Sequence, residues 1–115
     1  MTNLLERLKK ELESGLPFME GRKNAKIVCE MKYTITDFGY LSDKKTQQPY
    51  VSFISKENEK NFFFGGSVVT DTFKKIEGIL TEEELAEVLA EGLQVVFHEQ
   101  KSKDNLRTYI VMELI

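Results

Sequence analysis

Ile27-Val28-Cys29-Glu30-Met31-Lys32-Tyr33-Thr34-Ile35-Thr36-Asp37-Phe38-Gly39-Tyr40-Leu41 is the stretch on which the fold turns. Ile27, Cys29, Met31, Tyr33 and Ile35 fall on one side of it and Val28, Glu30, Lys32, Thr34 and Thr36 on the other. That is the period-two signature of a half-buried strand. Asp37 to Leu41 carries the strand on with a glycine inside it, and an interior glycine marks a bulge or the sharp bend that a barrel corner needs. A long first strand that bends and pairs twice is expected.

Downstream, Ser42 to Gln48 is a polar turn, followed by a second strand, Tyr50 to Ser55, and a third, Asn61-Phe62-Phe63-Phe64, joined as a hairpin through Lys56 to Lys60. Gly65-Gly66 breaks the strand. Ser67, Thr70 or Asp71 is available to cap a helix whose Val69, Phe73, Ile76 and Leu80 face inward. Thr81-Glu82-Glu83-Glu84 reads as a capping box that opens a second helix, which buries Leu85, Val88 and Leu89 and stops at Gly92. Leu93, Val95 and Phe97 then alternate with Gln94, Val96 and His98, and a last strand runs from Leu106 to Leu114 after a polar loop.

Upstream, Leu4, Leu5, Leu8 and Leu12 recur at helical spacing, and Gly15 and Pro17 end the pattern, which predicts a helix over Asn3–Ser14. Its leucine stripe docks on the domain, with a dimerisation helix, and hence a homo-oligomer, as the alternative. The interleaving of Leu with Glu, Arg and Lys over Met1–Leu12 matches neither a signal peptide nor a membrane span. Cys29, the sole cysteine, falls on the apolar side of its strand and forms no internal disulfide, so a reducing, cytoplasmic location is expected. A length of 115 residues is enough for one domain with its own core, over 1–115. Within it the expected parts are 3–14 (helix), 26–65 (strands 1–3), 67–91 (helical insert) and 93–114 (strands 4–5).

Five strands with the helical element between the third and fourth is the order of the oligonucleotide/oligosaccharide-binding (OB) barrel. The expected class is therefore mostly β with α (α+β), as a five-stranded OB-like barrel with an N-terminal helix. Charge divides along the same lines. Between Gly66 and Gly92 seven carboxylates oppose two lysines, a net of −5, which leaves +2 on the rest of a chain of net charge −3. The strands are mildly basic and the insert is acidic.

An OB barrel binding a single strand needs aromatic faces for bases, cations for phosphates and loops that close over the strand. The strands carry many rings, among them Phe38, Phe53 and the Phe62–Phe64 run. The triple phenylalanine must place at least one ring in the core, either Phe63 or the Phe62/Phe64 pair. Tyr33, Tyr40, Tyr50 and Tyr109 are the better stacking candidates, because a tyrosine hydroxyl tolerates water. Lys44 and Lys45 lie in the first hairpin loop, and Lys101, Lys103 and Arg107 in and after the last, the two loops that flank an OB binding face. Arg22, Lys23 and Lys26 form a third basic cluster, read as an arm.

Leu16 to Arg22, Asn61 to Asp71, and Lys101-Ser102-Lys103 followed by Arg107-Thr108-Tyr109 are the stretches in which the chain resembles small proteins of phages and conjugative elements of Gram-positive bacteria. Some proteins that look similar are single-stranded-DNA-binding proteins of replication or recombination modules. The resemblance implies a single-stranded nucleic-acid partner, DNA preferred, and assigns no chemistry to any residue.

Enzymatic readings find no support. His98 is the sole histidine, no second His or Cys completes a zinc site, and no phosphate-cradling loop or nucleophile elbow is present. The expectation is a non-enzyme without cofactor or metal, in which His98 is structural and Gly65-Gly66 serves geometry. The rival reading is a protein-interaction module or inhibitor from a mobile element, in which the acidic insert docks a basic partner.

Overall fold

The computed structural model describes residues 16–104 and 106–115. Six strands form one mixed sheet: β1 (Lys23–Ala25), β2 (Lys32–Ser42), β3 (Pro49–Ser55), β4 (Asn61–Phe64), β5 (Leu93–Lys101) and β6 (Thr108–Leu114). Their order is β1-β4-β3-β2-β5-β6. Helices α1 (Ser67–Ile79) and α2 (Glu82–Glu91) intervene between β4 and β5. The helix expected over Asn3–Ser14 lies outside the described residues.

The sheet is open, and this corrects the expectation of a closed five-stranded barrel. Closure would bring β4 and β6 together, but the outer edge of β4 is taken by β1, in parallel register with Lys23 opposite Asn61 and Ala25 opposite Phe63. Among the described residues β6 pairs with β5 alone. The broader α+β class stands. Lys23-Asn24-Ala25 is too short and too polar to show a period, so nothing in the sequence marks it as a strand. Nor is this segment a basic arm: the Arg22 guanidinium donates to the Glu59 carbonyl (2.8 Å) and the Phe18 carbonyl (2.6 Å), tying the chain to the β3–β4 connection.

β2 does pair twice. Lys32–Ile35 lies along β5, and Ile35–Ser42 along β3. Its irregularity falls between Ile35 and Asp37, so Thr36 and not Gly39 carries the bulge. Gly39 answers a different demand. A Cβ there would stand 2.8 and 2.9 Å from the two Leu16 methyl carbons, so the missing side chain makes room for Leu16 on the sheet. Upstream of β2 the expected strand is interrupted at Glu30, whose φ of +65° is left-handed. Ile27 and Cys29 still pack on the core, whereas Met31 is 56% exposed.

The core lies between one sheet face and α1. Tyr33, Ile35, Val51, Phe53, Phe63, Val95, Phe97 and Met112 meet Val69 and Phe73 there. Phe53 is the hub, with ring centroids 5.4 Å from Phe63, 5.5 Å from Phe97 and 5.9 Å from Phe73. Each such ring contributes roughly 1.5–3 kcal/mol by burial. α1 is fastened to β3 by a hydrogen bond from the Val51 amide to the Thr70 hydroxyl, 2.9 Å. Gly66, without a side-chain cap, precedes α1, so none of the three expected capping residues performs that task. Gly65 is needed for contact: its amide donates to the Val51 carbonyl, and a Cβ would come within 2.6 Å of Val51 and 2.7 Å of Val69. α2 opens with the expected capping box, Thr81 and Glu84 exchanging hydrogen bonds of 2.9 and 3.1 Å, which ties down amides that the first turn leaves unpaired.

Candidate nucleic-acid interface

Alternation assigns every strand residue to the helix-packed face or to the opposite face. On β4, Phe63 enters the core, while Phe62 and Phe64 stand half-buried on the opposite face. Tyr50 on β3 joins them, its ring centroid 5.4 Å from that of Phe64, which is 5.2 Å from Phe62, both pairs edge to face. The three rings form a row across two neighbouring strands. Phe62 and Phe64 were legible as an outward pair from alternation once Phe63 is placed in the core.

Of the four tyrosines singled out in the sequence, only Tyr50 belongs to this row. Tyr33 is 6% exposed, packs against Phe53, Phe63 and Phe97, and accepts a hydrogen bond from the Val28 amide (2.9 Å). A base has no access to it. Tyr40 faces the helices, where its hydroxyl donates to the Glu77 carboxylate. Burial first, and then Glu77, push its phenol well above the usual range. Tyr109, on β6, is 37% exposed and donates to Gln100 (3.1 Å).

Each basic turn is built on an aspartate. In the β2–β3 turn, which carries Lys44 and Lys45, Asp43 Oδ1 accepts from the Lys45 and Thr46 amides at 2.8 and 3.1 Å. Those backbone bonds hold its carboxyl below the usual range. In the β5–β6 turn, which carries Lys103, Asp104 accepts from the Ser102 hydroxyl and the Leu106 amide, again with a lowered pKa. Lys44, Lys45, Lys101, Lys103 and Arg107 are all exposed. The structure does not gather the two basic turns. β5 pairs antiparallel with Lys32–Ile35 only, so its hairpin projects from the sheet end opposite to the β2–β3 turn. Along the strands the two turns stand on the order of 50 Å apart, at about 3.3 Å per residue.

Elsewhere the outer face mixes apolar side chains, Val96 and Val111 opposite Glu113 and His98, with two polar arrangements. Glu57 accepts from both the Thr34 amide and the Thr34 hydroxyl, each at 2.6 Å. Burial, the largest single influence, would raise its pKa, but the two Thr34 hydrogen bonds, a bond to its own backbone amide and the nearby Lys32 charge together hold it below the usual range. His98 lies between Glu30 (2.7 Å) and Glu113 (2.6 Å), and the hydrogen bonds to Glu30 and then to Glu113 raise its pKa. No local sequence signal announces either arrangement, because each joins residues far apart in the chain.

At the helix side, where β2 runs on without β5, a cleft of about 350 Å³ opens between β2, α1 and α2. Asp37, Glu77 and Glu82 line it together with Tyr40 and the apolar Phe38, Leu85 and Leu89. Among the described residues no group of three or more His, Cys, Asp or Glu side chains is placed to hold a metal ion, and no helix is long and apolar enough to cross a membrane.

Neither a family model, nor a curated protein, nor a solved structure matches this chain.

Proposed function

We propose that the chain is a non-catalytic single-stranded nucleic-acid-binding protein, with DNA as the preferred strand, whose bases stack on the Tyr50–Phe64–Phe62 row. The row itself carries this reading: three half-buried rings on the sheet face opposite the core, on adjacent strands, with Lys44 and Lys45 in the turn that leads into Tyr50. An aromatic platform on an open sheet face is a workable base-stacking surface. Each stacked base contributes about 1–3 kcal/mol and is held without sequence preference, because every base has a π-face. The turn lysines supply phosphate neutralisation, and the acidic helices pack on the other side of the sheet, away from the strand.

Calorimetric titration with unlabelled oligo-dT at low and moderate salt tests this reading. Binding at micromolar protein that weakens as salt rises, and that falls on Tyr50→Ala or Phe64→Ala, is expected. Absence of salt-sensitive binding at micromolar protein overturns it.

A second reading rests on the cleft of Asp37, Tyr40, Glu77 and Glu82, whose acidic rim and apolar wall suit a basic protein partner. The two readings separate by location. Replacing Lys44 and Lys45, in the turn that leads into the aromatic row, weakens oligonucleotide binding under the first. Under the second, replacing Glu77 and Glu82, which line the cleft, weakens capture of the basic partner.

A further inference from the structure

Both ring nitrogens of His98 face carboxylates: Nδ1 is 2.7 Å from Glu30 Oε1 and Nε2 is 2.6 Å from Glu113 Oε2. A neutral imidazole has one N–H and one lone pair, so it can donate to only one of them and must turn the lone pair toward the other anion. Only the imidazolium satisfies both. The two carboxylates belong to different parts of the fold. Glu113 sits on β6, which is laddered to β5 over seven residue pairs. Glu30 sits in the Lys26–Met31 segment that leads into β2, and there the backbone is left-handed at a residue with a side chain, an unfavourable state unless something holds it. Among the described residues the ties of that segment are the Val28 amide to the Tyr33 hydroxyl, the Glu30 amide to the Phe97 carbonyl, and the packing of Ile27 and Cys29.

The geometry points to His98 as a proton-operated latch: charged, it clamps the Lys26–Met31 segment to β5 and β6, and neutral, it releases Glu30 so that the segment loosens around Cys29. Glu30 leaves in preference to Glu113, because its backbone relaxes on leaving whereas Glu113 is fixed by the strand ladder. Among the described residues, the other charged or titratable groups around the ring do not replace the clamp. Lys32, opposite Val96 on the same sheet face, is the nearest strand cation in the register, Lys26 lies in the segment itself, Glu99 points to the other face beside Cys29, and Tyr109 is engaged by Gln100. The raised pKa of His98 agrees with a ring held by two anions. A pKa raised in the folded state means that the latch contributes fully below the unfolded imidazole value of about 6.5 and is lost as pH rises through the folded pKa. The latch is independent of what the outer face binds.

As the chain's sole histidine, His98 gives ring signals in a carbon–proton NMR spectrum that need no assignment by mutation. A pH titration of the full chain should show its midpoint above about 6.5, the Glu30 amide moving with the same midpoint, and Glu30→Gln and Glu113→Gln each shifting the midpoint down. Both side chains are exposed, so the variants fold. Thiol labelling of Cys29 with a disulfide reagent is the second readout. His98→Gln should speed labelling at a pH below the midpoint and match the parent above it. Electrostatics alone predicts the opposite sign, since loss of a nearby cation raises a thiol pKa and slows its reaction. A midpoint at or below the ordinary value, a midpoint unmoved in both glutamine variants, or slower labelling in His98→Gln overturns the latch.

Discussion

Phe63 and its two neighbours share one strand and one chemistry but have opposite fates. Phe63 is 1% exposed and packs against Phe53 and Tyr33, while Phe62 and Phe64 stand on the far face in contact with each other, Phe64 also with Tyr50. The same side chain is therefore a stability element at one position and a candidate binding element at the next. What separates them is the two-residue period of the strand, together with a helix that covers one face only.

The sharpest way to break this comparison is to truncate on both sides of it. Phe63→Ala or Phe53→Ala should cost about 3–5 kcal/mol of unfolding free energy by denaturant titration, enough to unfold much of a domain of ordinary stability. Phe64→Ala or Tyr50→Ala should leave the chain folded, with a smaller cost of about 1 kcal/mol, and should weaken oligo-dT binding by about 1–3 kcal/mol for each stacked base lost. Equal stability losses on the two faces would erase the distinction.

A smaller effect tests the polar end of the outer face. Glu57→Gln keeps the shape but removes the charge that accepts two Thr34 hydrogen bonds, and should cost about 1 kcal/mol at neutral pH, after discounting for the exposure of the carboxylate. Because the folded pKa of Glu57 is lowered, its contribution is present above the unfolded glutamate value of about 4.3 and is lost as pH falls through the folded pKa. The parent and Glu57→Gln stability curves should therefore converge in acid. Convergence at high pH instead would contradict the assignment. The smallest expected effect is at the turns: Lys44→Gln with Lys45→Gln should leave stability within about 0.5 kcal/mol and flatten the salt dependence of binding by up to about two phosphate contacts. An unchanged salt slope would remove the β2–β3 turn from the binding surface.

Legibility in the sequence followed the range of the interaction. Alternation put Tyr33 with Ile35 on one side of their strand and Val95 with Phe97 on one side of theirs, and all four are core. The Thr81–Glu84 capping box, a four-residue signal, opens α2 as read. The same alternation put Met31 with the buried set, where it fails, because Glu30 leaves the extended region and uncouples the segment from β2. Tyr33 and Tyr40 were singled out as ring platforms on the strength of a hydroxyl that tolerates water. The hydroxyls are instead satisfied from within the fold, by Val28 and Glu77, which no local pattern predicts. The partners of Glu57 and His98 likewise lie 15 to 68 residues away in the chain.

By itself the sequence determined which way side chains point along β4, β5 and the start of β2, where α2 starts and stops, and that acid gathers in the helices while the strands stay mildly basic. These are properties of near neighbours, governed by the pleat, the cap and composition. Whether the sheet closes was decided only in the tertiary structure. Its open form follows from β1 occupying the outer edge of β4, a pairing across 38 residues made by backbone amides and carbonyls that every residue carries alike. Because strand pairing is written in groups common to the whole chain, a three-residue polar segment can take an edge without leaving any trace in its side chains.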